Sequence, residues 1–565
     1  MPIDDFRPRL AFRVGVTGHR KLDAKTCQEL RPRVRARLEQ IKHLAEQAAT
    51  ESQGVYDDDA PAILRAISPL AEGADRIFAE EAIDLGYDLE CPLPFDCREY
   101  RNDFADEISK RQFDELLAKA VAVFELDGSR RDEPAAYALV GQLVLDQCDI
   151  LLAIWDGKNA KGEGGTAEVV AHAKRRRIPV VWLHTDSGEP DTIFTPDDSE
   201  DGSWSNQGAI DERIKETVWW HLLPPKGFDP IAPLNIAERF LAPMLAWAWR
   251  FFERALTICV RRTRGPAGDP SESSDFQTEY ARLDGLANRL AGLYRGAFLL
   301  NYVLGVGAVL LAIVGNARPR WEWPPAFESL LISIIIILIV FLRLRGWNSR
   351  VVDCRYLAEQ FRILCYSYPF GLLPQRQSLP AQHLLAELPD SWVEWYLRAV
   401  VRQTPMPAAK VTLGYLEKHS GAIHKWVRGQ IHYHDRNAAK LEGMHFTIDC
   451  LSWVSIGVAF LAALTAWLGH AAIEKYHPLL LVFTAGFPAA ASAAHAISIQ
   501  GEFPKLAHRS QSIARRLRLY VKDLDHEGEF TAANLRRQTE DLAQVLLLEV
   551  TDWQILYRKP PPPPG

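Results

Sequence analysis

The sequence lacks several features that mark common classes of protein. Its eight cysteines include no Cys-x-x-Cys pair and lie mostly in apolar stretches, which predicts buried, reduced thiols in a cytosolic setting and no metal site. A net charge of -7 and a pI near 6.2 give no reason to expect a nucleic-acid partner. The N-terminus contains no apolar run, so we expect no cleavable signal peptide and assign insertion to the first membrane helix.

Charged residues are absent from four stretches of the C-terminal half, which contain 22, 14, 24 and 26 residues. About 20 apolar residues cross the hydrocarbon core of a bilayer, so three of these stretches are long enough to span it. The second is short enough to be a buried helix of a soluble protein, but Trp321, Trp323 and Pro324 suit a helix that starts at a membrane interface. The sequence therefore predicts four membrane spans, at about 297–316, 324–342, 450–471 and 478–499.

Lysine and arginine are distributed unevenly around these spans. Eleven lie near the helix ends on one side, whereas the two short loops on the other side contain three, Arg318, Arg320 and Lys475. Because the side richer in positive charge stays in the cytosol, we expect a multi-pass protein of the inner cell membrane with both termini cytosolic.

The C-terminal half repeats itself. The motif Arg-x6-Arg-x3-Tyr follows the second span at 355–366 and the fourth at 509–520, an offset of 154 residues. Tyr280 and Tyr433 precede the first and third spans at an offset of 153. These offsets predict two copies of one unit, in which an amphipathic helix, two spans and a basic helix follow one another. The two units cover 275–405 and 428–565, and the second ends in a proline-rich tail at 560–564.

The helix after the second span carries a family resemblance. Residues 347–364, W-N-S-R-V-V-D-C-R-Y-L-A-E-Q-F-R-I-L, resemble the helix that follows the spans of SLATT domains, which are two-helix membrane effectors that accompany SLOG sensor domains in bacterial conflict systems. The second unit departs from this pattern, since S-I-A-R at 512–515 replaces A-E-Q-F at 358–361. The resemblance implies a membrane-perturbing or pore-forming bundle. No ring of carboxylates or filter-like sequence marks a channel, so a pore would require a homo-oligomer.

Apolar segments alternate with helical patterns between residue 10 and about residue 185. Strands are predicted at 12–16, 63–70, 89–94, 120–124, 149–155 and 178–183. Apolar strands separated by helices are typical of a buried parallel sheet with helices on both faces. The predicted fold is therefore an α/β Rossmann-like parallel sheet over residues 1–190, followed by an all-α four-helix transmembrane region.

Three predicted junctions from strand to helix are small and contain glycine: Thr17-Gly18, Gly73-Ala74 and Gly164-Gly165-Thr166. Such junctions gather at one edge of a parallel sheet, where glycine lets the backbone approach a phosphate and the next helix supplies free N–H groups. We therefore predict a phosphorylated, nucleotide-derived ligand; tight turns with solvated arginines are the alternative. The predicted ligand-binding residues are Thr17, Gly18, His19, Arg20, Gly73, Ala74, Asp75, Arg76, Asp156, Gly164, Gly165 and Thr166.

The same segments resemble the SLOG superfamily of Rossmann-like proteins, which includes phosphoribohydrolases that release cytokinins. The resemblance rests on G-V-T-G-H-R at 15–20, P-L-A-E-G-A-D-R at 69–76, L-P-F before Tyr100 and Asp103, and G-G-T-A-E at 164–168. Hydrolases of this family carry P-G-G-x-G-T-x-x-E, whereas here the proline is absent and Glu168 follows the threonine by two residues. The resemblance makes Glu168 a candidate catalytic or ribose-binding residue, although an acid also stabilises the first turn of a helix. The chain has no G-x-G-x-x-G motif, so we expect no NAD cofactor of the usual Rossmann kind.

Residues 191–274 are predicted to form an irregular connector between the two halves. It contains a segment rich in aromatic residues, predicted as a helix over 237–262, and ends in a linker at 266–274. Charged residues in the middle of this helix argue against a membrane span. The helix therefore packs on the soluble domain or lies at the membrane interface, and we favour the first.

Three functions are compatible with these features. The first is a sensor and effector of bacterial anti-phage defence, in which the SLOG-like domain binds a nucleotide-derived messenger and controls the membrane bundle; both domain resemblances imply it. The second is a membrane-tethered N-glycosidic enzyme acting on NAD or a nucleotide through Glu168. The third is a membrane scaffold without catalysis. We favour the first.

Overall fold

The computed structural model describes residues 7–158, 164–185, 189–196, 204–205, 209–225, 234–257, 275–317, 320–373, 392–468, 480–524 and 530–558. Three predicted features lie outside these residues: the linker at 266–274, the proline-rich tail at 560–564, and residues 469–479, which include the end of the third predicted span and the start of the fourth.

Within the described residues, nine strands form a sheet in the order β8-β7-β6-β5-β1-β2-β3-β4-β9. The strands are β1 Ala11–Gly18, β2 Ile63–Ile67, β3 Asp88–Leu93, β4 Ala122–Glu125, β5 Ile150–Trp155, β6 Val180–His184, β7 Thr192–Pro196, β8 Trp204–Ser205 and β9 Ala409–Lys410. In this order, all adjacent strands between β6 and β9 pair in parallel. At the other edge, β7 pairs antiparallel with β6, and β8 pairs antiparallel with β7. β1 is buried from Ala11 to Val16 on both faces, as its continuous apolar sequence predicts. The mostly parallel α/β sheet is confirmed.

Seven helices connect these strands or cover the sheet: α1 Ala24–Glu51, α2 Ala74–Asp84, α3 Cys97–Tyr100, α4 Glu107–Leu117, α5 Glu133–Gln147, α6 Thr166–Arg175 and α7 Ile210–Leu222. The Asp23 carboxylate caps α1 by accepting the Thr26 N–H. Along α1, Leu30, Val34 and Leu38 recur every four residues and are buried. One face of the helix therefore packs into the core of the domain while the other stays in water.

The C-terminal half is helical. Its helices are α8 Ile236–Leu256, α9 Asp275–Ala317, α10 Trp323–Arg345, α11 Trp347–Ser367, α12 Trp392–Gln403, α13 Leu413–Leu468, α14 Phe487–Gln500, α15 Phe503–Leu524 and α16 Ala532–Arg558. Four stretches are long and apolar enough to cross a membrane: α9, α10, α13 and the continuous stretch Val482–Lys522. The predicted all-α region with four helices long and apolar enough to span a membrane is confirmed.

The length and exposure of α10 distinguish the two interpretations of the second charge-free stretch, a membrane span or a buried helix of a soluble protein. α10 has 23 residues and measures about 34 Å, enough to cross a hydrocarbon core of about 30 Å. Its most apolar 18 residues are not buried by the rest of the chain. Phe327, Ile336 and Ile337 point in different directions around the helix and are all more than half exposed. An apolar surface on every side excludes a helix buried in a soluble core and fits a membrane span.

The connector helix α8 begins with a capping box between Asn235 and Glu238. The fully buried Glu238 carboxylate also accepts hydrogen bonds from Arg345 at 3.0 Å, Trp347 at 2.8 Å and Arg350 at 3.1 Å. Burial alone would raise the pKa of Glu238, but these donors outweigh burial and hold the pKa below its usual range. The N-terminal end of α8 is thereby fixed to the junction of α10 and α11.

The C-terminal end of α8 contacts the second membrane unit. The Thr447 hydroxyl donates to the Leu256 carbonyl oxygen at 3.3 Å, and Lys440 pairs with Glu253. Trp249 is buried in a cluster formed with α9, α13 and α14. Among the described residues, α8 packs mainly on α9 and bridges the two membrane units, in contrast to the packing on the soluble domain that we favoured from the sequence.

Residues 401–411, which link α12 to α13, pack against the sheet domain. Arg13, buried in β1, donates to the carbonyl oxygens of Val401 at 2.7 Å, Arg402 at 3.2 Å and Thr404. Its guanidinium also donates to Gln147 at 3.0 Å. A buried arginine of the first strand therefore depends on backbone oxygens that lie almost 400 residues later, at a separation of 388 for Val401.

The same segment then completes the sheet. The buried Glu90 carboxylate lies 2.6 Å from the Arg65 guanidinium and accepts the Met406 N–H at 3.2 Å. β9 pairs with the edge strand β4, and the Val411 N–H donates to the Glu125 carbonyl oxygen at 2.8 Å. The sheet domain and the helical half are therefore joined by buried hydrogen bonds and a shared strand as well as by the connector.

Candidate functional site

The carboxyl ends of the parallel strands lie at one edge of the sheet, and the direction of the chain reverses across β1. Connections from β1 lead stepwise to β4, whereas the connection from β4 returns across β1 to β5. Such a switch point leaves a crevice between the loops that follow β1 and β5, where ligands bind in open α/β sheets. Thr17 and Gly18 close β1, His19 and Arg20 follow it, and Asp156 follows β5.

The first two glycine turns are in direct contact at this crevice. The Ala74 N–H donates to the His19 carbonyl oxygen at 3.1 Å. Gly73 has a φ of +80°, and a Cβ there would lie 2.5 Å from the His19 carbonyl oxygen and 2.6 Å from that of Arg20. A Cβ on Gly18 would likewise collide with Ala74. Only glycine at both positions lets the loop after β1 lie against the N-terminus of α2.

The third glycine turn is linked to this crevice by Tyr137 of α5. Gly164 has a φ of +78°, and a Cβ there would lie 3.0 Å from the Tyr137 Cβ. The Tyr137 ring lies beneath Arg20, whose Cζ is 4.4 Å from the ring centroid. Gly165 is the N-cap of α6 and Thr166 its first residue. The first two turns are therefore in contact, and one aromatic side chain links the third to them.

His19 and Asp156 pair across the crevice. The His19 Nε2 lies 3.1 Å from one Asp156 carboxylate oxygen, and the Lys158 Nζ lies 2.9 Å from the other. The hydrogen bonds from Lys158, with a smaller contribution from His19, hold the pKa of Asp156 below its usual range. The carboxylate is therefore ionised at neutral pH and is a ready acceptor for a hydroxyl group.

Three residues that were not among the predicted site residues complete the rim. Asp103 accepts a hydrogen bond from the Tyr137 hydroxyl and pairs with Arg130 at 2.5 Å and with Arg20 at 4.0 Å. The Arg20 side chain is 47% exposed, so this cation is open to a ligand from solvent. In the sequence, Asp103 appears only within the SLOG-like pattern. Tyr137 and Arg130 carry no local signal, because only the fold brings them to Arg20.

Asp75 lies in the first turn of α2 and is buried. Burial raises the pKa of Asp75 to about 7, although the nearby Arg20 and the Ala71 N–H favour its ionised form. A carboxyl group that titrates near neutral pH beside an open arginine is typical of functional sites.

The raised pKa of Asp75 predicts a dependence of stability on pH. Below pH 4 the carboxyl is protonated in both folded and unfolded protein; as the pH rises from about 4 to about 7, only the unfolded protein ionises and stability is lost. Asp75→Asn cannot titrate, so its thermal midpoint relative to the native protein should increase from pH 5 to pH 8. Asp59→Asn, at an exposed position, controls for the loss of one charge. An Asp75→Asn difference that is equal at both pH values would contradict the assignment.

Two predicted residues make contacts within the protein. The buried Arg76 guanidinium donates to the carbonyl oxygens of Leu70 at 3.2 Å and Ser109 at 2.9 Å. The Glu168 carboxylate accepts the Gly164 N–H at 2.6 Å. In the described residues both side chains therefore hold loops of the rim in place.

A further group of potential ligand atoms lies at the ends of β3 and β4. One ligand atom each from Asp96, Cys97 and Glu125 lies within 4.8 Å of the others. Lys410 of β9 already forms an ion pair with Asp96, and Glu125 accepts the Cys97 N–H at 3.0 Å. These contacts satisfy the group without a metal, and we assign none to it.

The geometry at the carboxyl ends of the parallel strands is the main basis for inferring a function. Comparison with known proteins found no family model that matches the chain and no significantly similar curated protein.

Proposed function

We propose that the chain is a membrane-anchored sensor whose sheet domain binds a nucleotide-derived messenger and thereby controls its helical bundle. The observation that carries this proposal is the contact of the first two glycine turns at the switch point of the sheet, with Arg20 open to solvent beside them. An accessible arginine recognises phosphate, and the N-terminus of α2, whose Ala74 N–H is engaged by the His19 carbonyl oxygen, adds the positive end of the helix dipole.

The acidic residues of the rim suit the rest of such a ligand. Asp156 pairs with His19 and Asp103 pairs with Arg20, the two residues that follow β1, and both carboxylates are acceptors for hydroxyl hydrogens. A ligand with phosphate and ribose groups satisfies both signs of charge at this edge. A bare anion would meet these carboxylates at a cost, so the ligand class is a nucleotide derivative.

A messenger can shift the bundle only if it binds one arrangement more tightly than another. The buried contacts of Arg13 and Glu90 with residues 401–406 give a physical route, because they join the core of the sheet to the segment between the two membrane units. The exposed apolar surface of α10 is available for contacts between copies in a homo-oligomer. We place the protein in the inner cell membrane with both termini cytosolic, and the resemblance to SLOG and SLATT domains supports a role in anti-phage defence.

The geometry favours this function over the N-glycosidic enzyme. The Glu168 carboxylate is engaged by the Gly164 N–H, so one of its oxygens serves its own loop. A scaffold without a ligand would not require an open arginine beside two glycines that admit no side chain.

Ligand binding by the full-length protein in detergent micelles tests the proposal. We expect ADP-ribose, AMP or a cyclic dinucleotide to raise the thermal midpoint, and adenosine, which lacks phosphate, to have a much smaller effect. Arg20→Ala should weaken binding roughly 10- to 100-fold, the range expected for one charge-assisted hydrogen bond. Arg35→Ala, at a partly exposed arginine of α1 that pairs with Glu39 and Glu81, is the matched control.

Other outcomes identify the alternatives. Release of free base from NAD or a nucleotide, lost in Glu168→Gln, would establish the enzyme instead. Failure of the whole panel to bind, or equal binding by Arg20→Ala and Arg35→Ala, would refute the sensor. In vesicles that contain the protein, the ligand that binds should also change dye leakage.

A further inference from the structure

A cavity of about 690 Å³ lies between α8, α9 and α13 in the membrane half. Arg295 of α9 lines it and directly precedes the charge-free run that begins at Gly296. Lys440 of α13 also lines it, ten residues or about 15 Å before the charge-free run at Cys450. The cavity is therefore at the level where the spans enter the bilayer. It is distinct from the crevice of the sheet domain.

Two glycines of α9 allow the close crossing that forms one wall of this cavity. A Cβ on Gly292 would lie 2.9 Å from the Ala246 Cβ, and a Cβ on Gly296 would lie 2.6 Å from the Leu245 Cβ. Glycines spaced four residues apart let two helix backbones approach closely. α8 is held at this crossing by Glu238 at one end and by its contacts with α13 at the other.

The charged lining of the cavity is strongly unbalanced. Its charged residues are Arg239, Arg250, Arg289, Arg295, Lys440 and Glu253. The carboxylate of Glu253 is paired with Lys440. Among the described residues, no carboxylate lies within ion-pair distance of Arg250, Arg289 or Arg295. Three arginines without a carboxylate partner, at one concave site between helices, create a positive potential that attracts an anion.

α8 also presents an apolar face outward. Ile236, Phe240, Met244, Trp247 and Phe251 are each more than half exposed. At 3.6 residues per turn they lie within about 80° of one another, on the side opposite the buried Leu245 and Trp249. An amphipathic helix with an aromatic face beside membrane spans lies in the interface, with that face in the acyl region. The cavity therefore opens beside a surface that contacts lipid.

We propose that this cavity binds a phosphate-bearing anion at the membrane surface, and that the anion is the headgroup of an anionic phospholipid. The guanidinium groups of Arg250, Arg289 and Arg295 supply the counter-charge, and the apolar face of α8 keeps the acyl chains next to the site. Basic pockets beside membrane helices on the positively charged side bind such headgroups. A free phosphorylated solute has the same chemistry, so the experiment must distinguish the two sources.

The test uses full-length protein in dodecyl maltoside micelles. Its thermal midpoint is titrated with phosphatidylglycerol, with phosphatidylcholine of the same chains, and with inorganic phosphate. The pocket variant is Arg289→Gln with Arg295→Gln. The control variant, Arg343→Gln with Lys505→Gln, removes two positive charges from exposed positions beside the spans that do not line the cavity.

We expect phosphatidylglycerol, but not phosphatidylcholine, to stabilise the native protein and the control variant. The pocket variant should need about 30-fold more phosphatidylglycerol, or about fivefold for each cation removed. The single variant Arg250→Gln should need about fivefold more, which provides a second measurement if the double variant folds poorly. Stabilisation by inorganic phosphate, with no preference between the lipids, would assign the site to a soluble anion. Equal responses of the pocket and control variants, or no response to either anion, would overturn the proposal.

Discussion

Replacing Glu90 with glutamine should destabilise the protein by about 3–5 kcal/mol, because a buried arginine is left without its counter-charge. Glu90 is fully buried, and its carboxylate lies 2.6 Å from the Arg65 guanidinium. Arg13 is paired with Arg65 in the register of β1 and β2 and is buried as well. The substitution therefore leaves two positive charges in a region that water does not reach.

The loss should be seen as a lower thermal midpoint of the full-length protein. Glu39→Gln makes the same chemical change at an exposed ion pair with Arg35, where the side chain is 53% accessible. That control should change stability by no more than about 0.5 kcal/mol. Equal effects of the two substitutions would mean that the segment 401–406 does not depend on this buried charge network.

Alanine at Gly73 should cost about 2–5 kcal/mol and abolish the ligand binding that we propose for the crevice, combining about 1–2 kcal/mol for a backbone with positive φ with about 1–3 kcal/mol for overpacking. Gly73 has a φ of +80°, and the new Cβ would meet two backbone oxygens within 2.6 Å. Neither oxygen can move without shifting the loop that carries His19 and Arg20. The first two glycine turns would then separate.

Gly54 provides a close control for this substitution. It also has a φ of +80°, but nothing lies within 4 Å of a Cβ built there. Gly54→Ala should therefore show only the backbone cost of about 1–2 kcal/mol and leave ligand binding unchanged. If both variants lose the same stability and keep binding, close contact of the turns is not required for the site.

Features that depend on local composition and periodicity could be predicted from the sequence. The strand at Ile150–Trp155 is continuously apolar because the sheet is covered on both faces, and the sequence at 149–155 shows this directly. The four long apolar helices were predictable because their sequences contain long stretches without charged residues. The glycine turns were predicted one by one, and the parallel arrangement of the strands explains why two of them meet.

Features that depend on distant partners were not predictable. β9 has two residues, too few for any alternating or apolar pattern. Arg13 looks like a surface residue until its acceptors near residue 402 are known. Tyr137 and Asp103 join the site because α5 and the loop after α3 meet at one edge. The periodicity of a single helix or strand does not indicate which distant elements pack against it.

The connector helix illustrates the same limit. Its aromatic residues predicted an amphipathic segment but did not say which surface it would contact. The decisive residues are Gly292 and Gly296 of another helix, which leave room for α8, and Glu238, whose donors lie more than 100 residues away. Shape and pairing at the partner helix therefore decided the packing.

The dependence of Arg13 on residues 401–404 has a consequence for the order of events during synthesis. Val401 is made 388 residues after Arg13, which takes roughly 20–80 s at the usual 5–20 residues per second. By then α9 and α10 have already been synthesised. Until residues 401–410 have been made, the sheet domain is incomplete, because Arg13 lacks these acceptors and the edge strand β4 lacks its partner β9. A chain that stops before Val401 therefore cannot complete its sheet domain, even though it already contains the eight strands β1 to β8.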